Sequence, residues 1–359
     1  MKRKRSLAIL STVVLTMALL AGCGSADEAQ TGDETPASQD AGQKEGAAEN
    51  ADDPLTMFPK LELPYTAEAG ATIVEYQGGK LTAEEFETFL RVINFINPQQ
   101  GAMIGMADQE MIKTFAREYT ATKILADRAD EAIHAESKKQ AEQTFEQIKG
   151  QYLSIFGEGG ESKFDTFVKG QGVTKETIVE QMAIINDSIT VLSNDIDDAD
   201  LKQVYDSMDV AERTVASVRH ILITTEQRSP EEALKIAQDL ETRLKNGEDF
   251  AKLAQENSED PGSKDNGGLY ENAAVTQWVP EFKEAALTQP VGEVGPPVKT
   301  DFGYHIVKVE SRQEKSFDEM KDQLKGKALE TAYDNFSTSE LDKLIVSYNI
   351  PELNKAEAK

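Results

Sequence analysis

Apolar residues recur at helical spacing through most of the first 210 positions, and alternate singly in only a few short runs. The stretch "TIVEYQGGKLTAEEFETFLRVINFIN", residues 72–97, opens as a strand, turns at Gly78-Gly79 and continues as a helix. Thr82 and Glu85 are spaced as a capping box, and Phe86, Phe89, Leu90, Ile93 and Ile96 form one apolar stripe. Pro98 is predicted to end that helix. The same periodicity predicts helices over 108–134, 137–156, 162–169 and 174–194, and a last one from Asp197, as its cap, to Met208. Gly157, Gly159, Gly160, Gly170 and Gly172 punctuate the series. "GAMIGM", residues 101–106, reads as a loop. Met103, Ile104 and Met106 there either pack on their own core, the plainer reading, or offer an adaptable apolar surface to unfolded chains.

At Arg213 the pattern changes. "TVASVRHILI" reads as a strand, and Ser229 and Glu232 bracket Pro230 at the start of a helix. Ala233, Ile236, Ala237, Leu240 and Leu244 make its buried stripe, and Gly247 stops it. "EDFAKLAQENS" is a second helix, "EDPGSKDNGG" a loop, "VPEFKEAAL" a short helix and "GYHIVKVES" a closing strand. This unit therefore reads β-α-α-(β)-α-β. A final helix follows Ser316 and Glu319, another capping box, with Met320, Leu324, Tyr333, Phe336, Leu341, Leu344 and Ile345 apolar.

Two of the three histidines fall inside strands. Side chains alternate across a strand, so His220 shares a face with Val218 and Leu222, and His305 with Val307 and Val309. An imidazole among such neighbours needs a hydrogen-bond partner. Adjacent strands would let the two rings bond each other or one shared group. On these residues alone a structural pair is the simpler reading, and a catalytic pair stays open. No metal is expected, because neither an i,i+4 pair nor a second ligand cluster accompanies them.

Composition narrows the setting. The chain has 359 residues, enough for two domains, with a formal net charge of −26. That balance excludes nucleic acid as a partner, since phosphate contacts need clustered Lys and Arg. The positive charge at Lys2, Arg3, Lys4 and Arg5 precedes an apolar stretch too short for a confident transmembrane helix. It ends in "LLAGC", which resembles a bacterial lipobox, with Cys23, the chain's one cysteine, as the lipidated residue after removal of 1–22. With that thiol acylated, no disulfide forms. Gly24–Pro54 has nine acidic residues, one lysine and no aromatic or large aliphatic side chain, the composition of a flexible tether. The tether is expected over 23–71.

"VRHILI", "FAKLAQENSEDPGSKDNGGL", "VPEFKEAAL" and "TDFGYHIVKVE" resemble, in order and spacing, the parvulin family of peptidyl-prolyl isomerases. With the lipobox, tether and flanking helices, the whole chain resembles foldase lipoproteins of the PrsA type. The resemblance implies an α+β protein: a mostly helical chaperone-like domain from 72–212 and 314–350, a parvulin domain inserted at 213–313, and a disordered tail at 351–359. It also implies that His220, Asp260 and His305 form the catalytic group. Leu269, Trp278 and Phe282 would make the proline pocket, with Phe302 beside it. The chain departs from the family pattern at "YENAAVTQ", where Gly and an aromatic are usual and one fewer residue precedes the position of Trp278. The phospho-directed parvulins place a basic cluster after the first histidine strand. "TTEQRSPEEA" has only Arg228 against three glutamates, so phosphoserine specificity is not expected.

The implied function is isomerisation of X-Pro bonds in unfolded or newly secreted polypeptides, at the extracytoplasmic face of a bacterial cell membrane. No cofactor is expected, and a homodimer is allowed. The alternative is a holdase chaperone whose parvulin domain is weakly active or inactive.

Overall fold

The computed structural model describes residues 54–68 and 70–354, so Cys23, the leader 1–22 and the acidic part of the tether lie outside the described residues. The chain divides into two units, one from residues up to Asp197 together with those from Ala328, the other from Asp198–Lys327.

The first unit opens with the helical turn α1 (Pro54–Met57), the hairpin β1 (Thr72–Tyr76) and β2 (Gly79–Thr82), and α2 (Ala83–Ile96). Thr82 ends β2 and caps α2: its side chain accepts from Glu85 N–H, and Glu85 accepts in return from Thr82 N–H. Pro98 does end α2, but it also begins a helix. Asn97 closes α2 and caps α3 (Pro98–Gly105), where proline at the first position gives up an N–H that has no helical partner anyway. "GAMIGM" is therefore largely helical, not a loop; Ile104 is buried while Met103 and Met106 are exposed. α4 (Gln109–Ala126) and α5 (Glu131–Phe156) break at Asp130, whose side chain caps α5, some residues earlier than the pattern suggests. α6 (Gly160–Gly170) and α7 (Lys175–Asn194) complete the bundle.

Three cores fill this unit among the described residues, the smallest made by Tyr76, Ala121, Ile124, Leu125, Phe336 and Leu341 where the chain returns. Of the larger two, one gathers Ile73, Val74, Leu81, Phe86, Phe89 and Tyr119, with Phe89 and Tyr119 stacked at 4.1 Å. The other is aromatic: Phe95, Phe145, Tyr152, Phe156, Phe164 and Phe167. Phe58 joins it, 5.2 Å from Tyr152, and Leu61 and Tyr65 are buried in the first core. The segment 58–68 is thus part of the fold and not of the tether, because its apolar residues find two cores to enter.

The second unit begins with α8 (Asp198–Ser207) and continues β3 (Thr214–Thr224), α9 (Pro230–Lys245), α10 (Phe250–Asn257), β4 (Leu269–Ala274), α11 (Pro280–Thr288), β5 (Val298–Thr300) and β6 (Gly303–Glu314). The strands form one antiparallel sheet in the order β4-β3-β6-β5. Ile221, Ile223, Tyr304 and Ile306 face α9 and α10, while Val218, Val307 and Val309 pack with Phe282 and Ala286 of α11. The helix α12 (Phe317–Phe336) starts here too. Tyr205 packs edge-on against Phe317 at 5.9 Å and donates to Lys315 O, and Lys327 pairs with Glu212 at 2.5 Å. These contacts carry the unit beyond the expected limits of 213 and 313.

From Ala328 the chain rejoins the first unit. A π-helical turn at Ser337–Leu341 and the short α13 (Asp342–Leu344) lead into β7 (Ile345–Tyr348), where the sequence pattern predicted only helix. β7 pairs antiparallel with β1 to give the sheet order β2-β1-β7. Arg117 holds the return, donating to Ser337 Oγ and O and to Asp342. Residues 351–354, expected as part of a disordered tail, are ordered, with Leu353 bridged to Tyr65.

Candidate active site

β3 and β6 are neighbours, with His220 opposite Val307 and Leu222 opposite His305. The two histidines are therefore diagonal on one face, the face covered by α11. His220 Nδ1 and His305 Nδ1 lie 3.2 Å apart, and both residues are buried.

The loop after α10 brings Asp260 to them. Ser258, fully buried, accepts from the backbone N–H groups of Leu222 and Asp260, and Glu259 N–H donates to Leu222 O. The loop is pinned to β3 by these bonds. Three donors then converge on one oxygen, Asp260 Oδ2: His220 Nε2–H at 3.0 Å, Ser263 Oγ–H at 2.5 Å and Tyr270 O–H at 3.0 Å. Asp260 Oδ1 takes no hydrogen bond from the described residues. Burial works to raise this carboxyl, but the bonds from His220, Ser263 and Tyr270 hold it well below the usual carboxylate range.

At the other end, His305 Nε2 is 2.9 Å from Thr300 Oγ1, which accepts from Phe302 N–H at 3.1 Å. One set of proton positions satisfies the chain with two neutral rings. His220 Nε2–H donates to Asp260, His305 Nδ1–H donates to His220 Nδ1, and Thr300 O–H donates to His305 Nε2. Burial, and then the neighbouring His220, push the His305 imidazole down to about 4.

An apolar wall stands over this network. Phe282 is buried, with its ring edge-on to both imidazoles, 5.2 Å from His220 and 5.3 Å from His305. Trp278 packs on Phe282 at 5.2 Å, and Tyr270 lies 6.5 Å from Trp278. Together they bound a cleft of about 830 Å³ that also takes in Leu222, Thr224, Glu226, Glu259, Pro261, Gln277, Val279 and Phe302.

His220, Asp260, His305, Trp278, Phe282 and Phe302 meet in this cleft; Leu269 does not line it. Opposed residues of antiparallel strands share a face, and Leu269 pairs with Arg219 while Tyr270 pairs with Val218. The pocket position is Tyr270's. The departure "YENAAVTQ" carries an irregularity just beyond this pair. Between the pairs Ala216–Ala273 and Val218–Tyr270, the single Ser217 faces both Glu271 and Asn272. This is a β-bulge. Asn272 has a φ of 50°, which asparagine tolerates better than most residues, and its N–H donates to Ser217 Oγ. The bulge absorbs the irregular spacing, so Trp278 and Phe282 still reach the cleft. Gly268, at φ 77°, accepts from His220 N–H, and a Cβ there would stand 2.2 Å from His220 O.

Ser258, Ser263, Tyr270 and Thr300 were not singled out from sequence. Serine and threonine in a loop carry no pattern of their own, and Tyr270 needed the register.

Residues 201–313 match the family described as PPIC-type PPIASE domain. A foldase protein PrsA of Clostridium botulinum strain Hall is 30% identical over 297 residues, covering 76% of this chain and 84% of its own. That of Geobacillus kaustophilus is 32% identical over 234 residues, covering 64% and 76%. A crystal structure of peptidylprolyl isomerase PrsA from Bacillus cereus aligns with 77% of this chain and 92% of its own, at 23% identity and a TM-score of 0.39. The network of His220, Asp260 and His305 thus lies within the matched isomerase domain, and the chain belongs to the PrsA foldases, with a parvulin-type peptidyl-prolyl isomerase domain.

Proposed function

We propose that this isomerase acts on X-Pro bonds of newly secreted polypeptides, held at the outer face of a bacterial cell membrane through lipidated Cys23. The anchoring rests on the "LLAGC" pattern and the acidic, apolar-poor stretch that follows it. No helix among the described residues is long and apolar enough to cross a membrane. Two acyl chains anchor stably where one is marginal.

The single observation that carries the catalytic reading is Asp260: one oxygen holds three donors and the other none among the described residues, in a cleft walled by Trp278 and Phe282. An X-Pro bond rotates over a barrier of roughly 18–20 kcal/mol, taking tens to hundreds of seconds unaided. The planar amide carries negative charge on its carbonyl oxygen, and the twisted one carries less. The apolar wall grips the proline ring and favours the less polar twisted form. A carboxylate oxygen beside the carbonyl raises the planar form further, so binding is tighter at the transition state. Protonated, the same carboxyl would donate to the carbonyl and favour the planar form. The histidines keep Asp260 oriented and ionised and form no bond to substrate.

Cis–trans exchange of an Ala-Leu-Pro-Phe peptide, followed by NMR with catalytic amounts of the full chain, tests this. Faster exchange is expected, and exchange unchanged from the peptide alone would refute it.

A further inference from the structure

The cleft has an unusual balance of charge. Its ionisable lining is Glu226, Glu259, Asp260, Tyr270 and the two histidines, with no Lys or Arg. Arg228, a cation bonded to that lining, is held by Glu259 through two 2.6 Å bonds, Nη1 to Oε2 and Nη2 to Oε1, and donates also to Thr224 O at 2.8 Å. Glu259 Oε2 further accepts from Thr224 N–H at 2.7 Å and Oγ1–H at 2.8 Å. Such a forked pair is geometrically closed, and neither charge is free for a ligand. The Arg228 bond, the largest influence, pushes the Glu259 carboxyl down to about 2. Glu226, two residues before Arg228, is exposed at the cleft and has no hydrogen-bond or ion-pair partner among the described residues.

We propose that Glu226, with the Arg228–Glu259 clamp beside it, sets the substrate preference of the cleft: Lys or Arg immediately before the proline is favoured, and Asp, Glu or phosphoserine is rejected. This rests on the isomerase reading given above. In that reading the proline ring lies on the wall of Trp278 and Phe282, and the carbonyl beside Asp260 belongs to the preceding residue. We place the side chain of that residue toward the end of β3, where Glu226 and Glu259 line the cleft. Glu226 lies two residues beyond the end of β3 and lines the same cleft as Asp260 and Phe302. A cation arriving there meets the unpaired Glu226 and ionised Asp260. An anion meets the same two charges, with Arg228 already engaged by Glu259.

The test measures kcat/KM of the full chain on Ala-Xaa-Pro-Phe peptides with Xaa as Lys, Leu, Glu or phosphoserine. At low ionic strength Lys should exceed Glu by about fivefold or more, with phosphoserine slowest, and the ratio should contract in concentrated salt. Glu226→Gln should shrink the Lys-to-Glu ratio by about half or more. Glu259→Gln should release Arg228 and raise the Glu and phosphoserine peptides relative to Leu, with Trp278 emission confirming that each variant is folded. Equal rates for Lys and Glu at low salt, or a parental ratio in both folded variants, would overturn the preference while leaving the isomerase reading intact. Failure to accelerate any of the four peptides would overturn both.

Discussion

His220 and His305 meet through their Nδ1 atoms, 3.2 Å apart, from positions 85 residues apart in sequence. The contact makes one buried chain from Asp260 through both rings to Thr300. Removing either ring leaves a buried partner unsatisfied, at a cost of about 1–3 kcal/mol. His220→Ala and His305→Ala should lower the unfolding free energy of the second unit, read from urea titrations, by amounts in that range. Trp278, the chain's one tryptophan, stands in the cleft and reports this unit by its emission. An unchanged midpoint in both variants would mean that the chain of bonds contributes nothing.

Asp260→Asn and Phe282→Ala separate the two halves of the mechanism. Asn keeps the shape but replaces a charged acceptor of three hydrogen bonds with a neutral one, so a loss of about 1–3 kcal/mol is expected with slower isomerisation. Phe282→Ala removes a buried ring and the proline grip together, at about 3–5 kcal/mol. Peptide exchange rates on variants verified as folded decide the matter. Parental rates in both would exclude the assigned roles.

Acid should weaken the second unit in two successive windows. His305 is pushed down to about 4 in the fold, below the ordinary histidine value of 6.5, so the unfolded chain binds the extra proton. Stability therefore falls as pH drops from about 6.5 to about 4, by at most about 1.4 kcal/mol per pH unit for this one group. Asp260 is also depressed, so its contribution is present above the ordinary carboxylate range and is lost at lower pH still. Urea midpoints of Trp278 emission at pH 7 and pH 5 check the first window. His305→Gln, which cannot take up the proton, should show the shallower slope.

The site was legible where sequence pattern and chemistry coincide. A histidine in an alternating apolar strand is conspicuous, and twice over it pointed to strands that had to be neighbours. The capping boxes at Thr82, Ser229 and Ser316 were readable because both partners lie three residues apart. Register was not readable. Leu269 and Tyr270 differ by one position, and only the pairing of Arg219 with Leu269 and Val218 with Tyr270 decides which of them shares the face of His220. β7 was hidden for a related reason: four residues following a helix show no period, and their partner β1 lies about 270 positions away.

Anchoring is testable apart from catalysis. Cys23→Ala should leave the chain unlipidated and free of membranes after a high-salt wash, with peptide isomerisation unaffected. Retention of the variant on washed membranes would refute the lipid anchor.

The return of the chain after the inserted unit makes a last prediction. β7 supplies β1 with its second neighbour, through Val74–Tyr348, Glu75–Ser347 and Tyr76–Ile345, and backbone bonds continue on both sides, from Gln77 N–H to Leu344 O and from Asn349 N–H to Ile73 O. Without β7, β1 becomes a sheet edge whose Val74 and Tyr76, both buried in the fold, lose their cover on that side. Lys113 over the Tyr348 ring and the bridge from Leu353 to Tyr65 would go too. A chain ending at Lys343 should therefore unfold at lower urea by far-ultraviolet circular dichroism, which is dominated by the helical unit. The Trp278 transition should hardly move, because its contacts with Tyr270, Val275 and Phe282 all lie within the second unit. A circular dichroism midpoint equal to the parent's would show that β7 is dispensable to the first unit, and a Trp278 midpoint falling in step would show that the two units do not unfold separately.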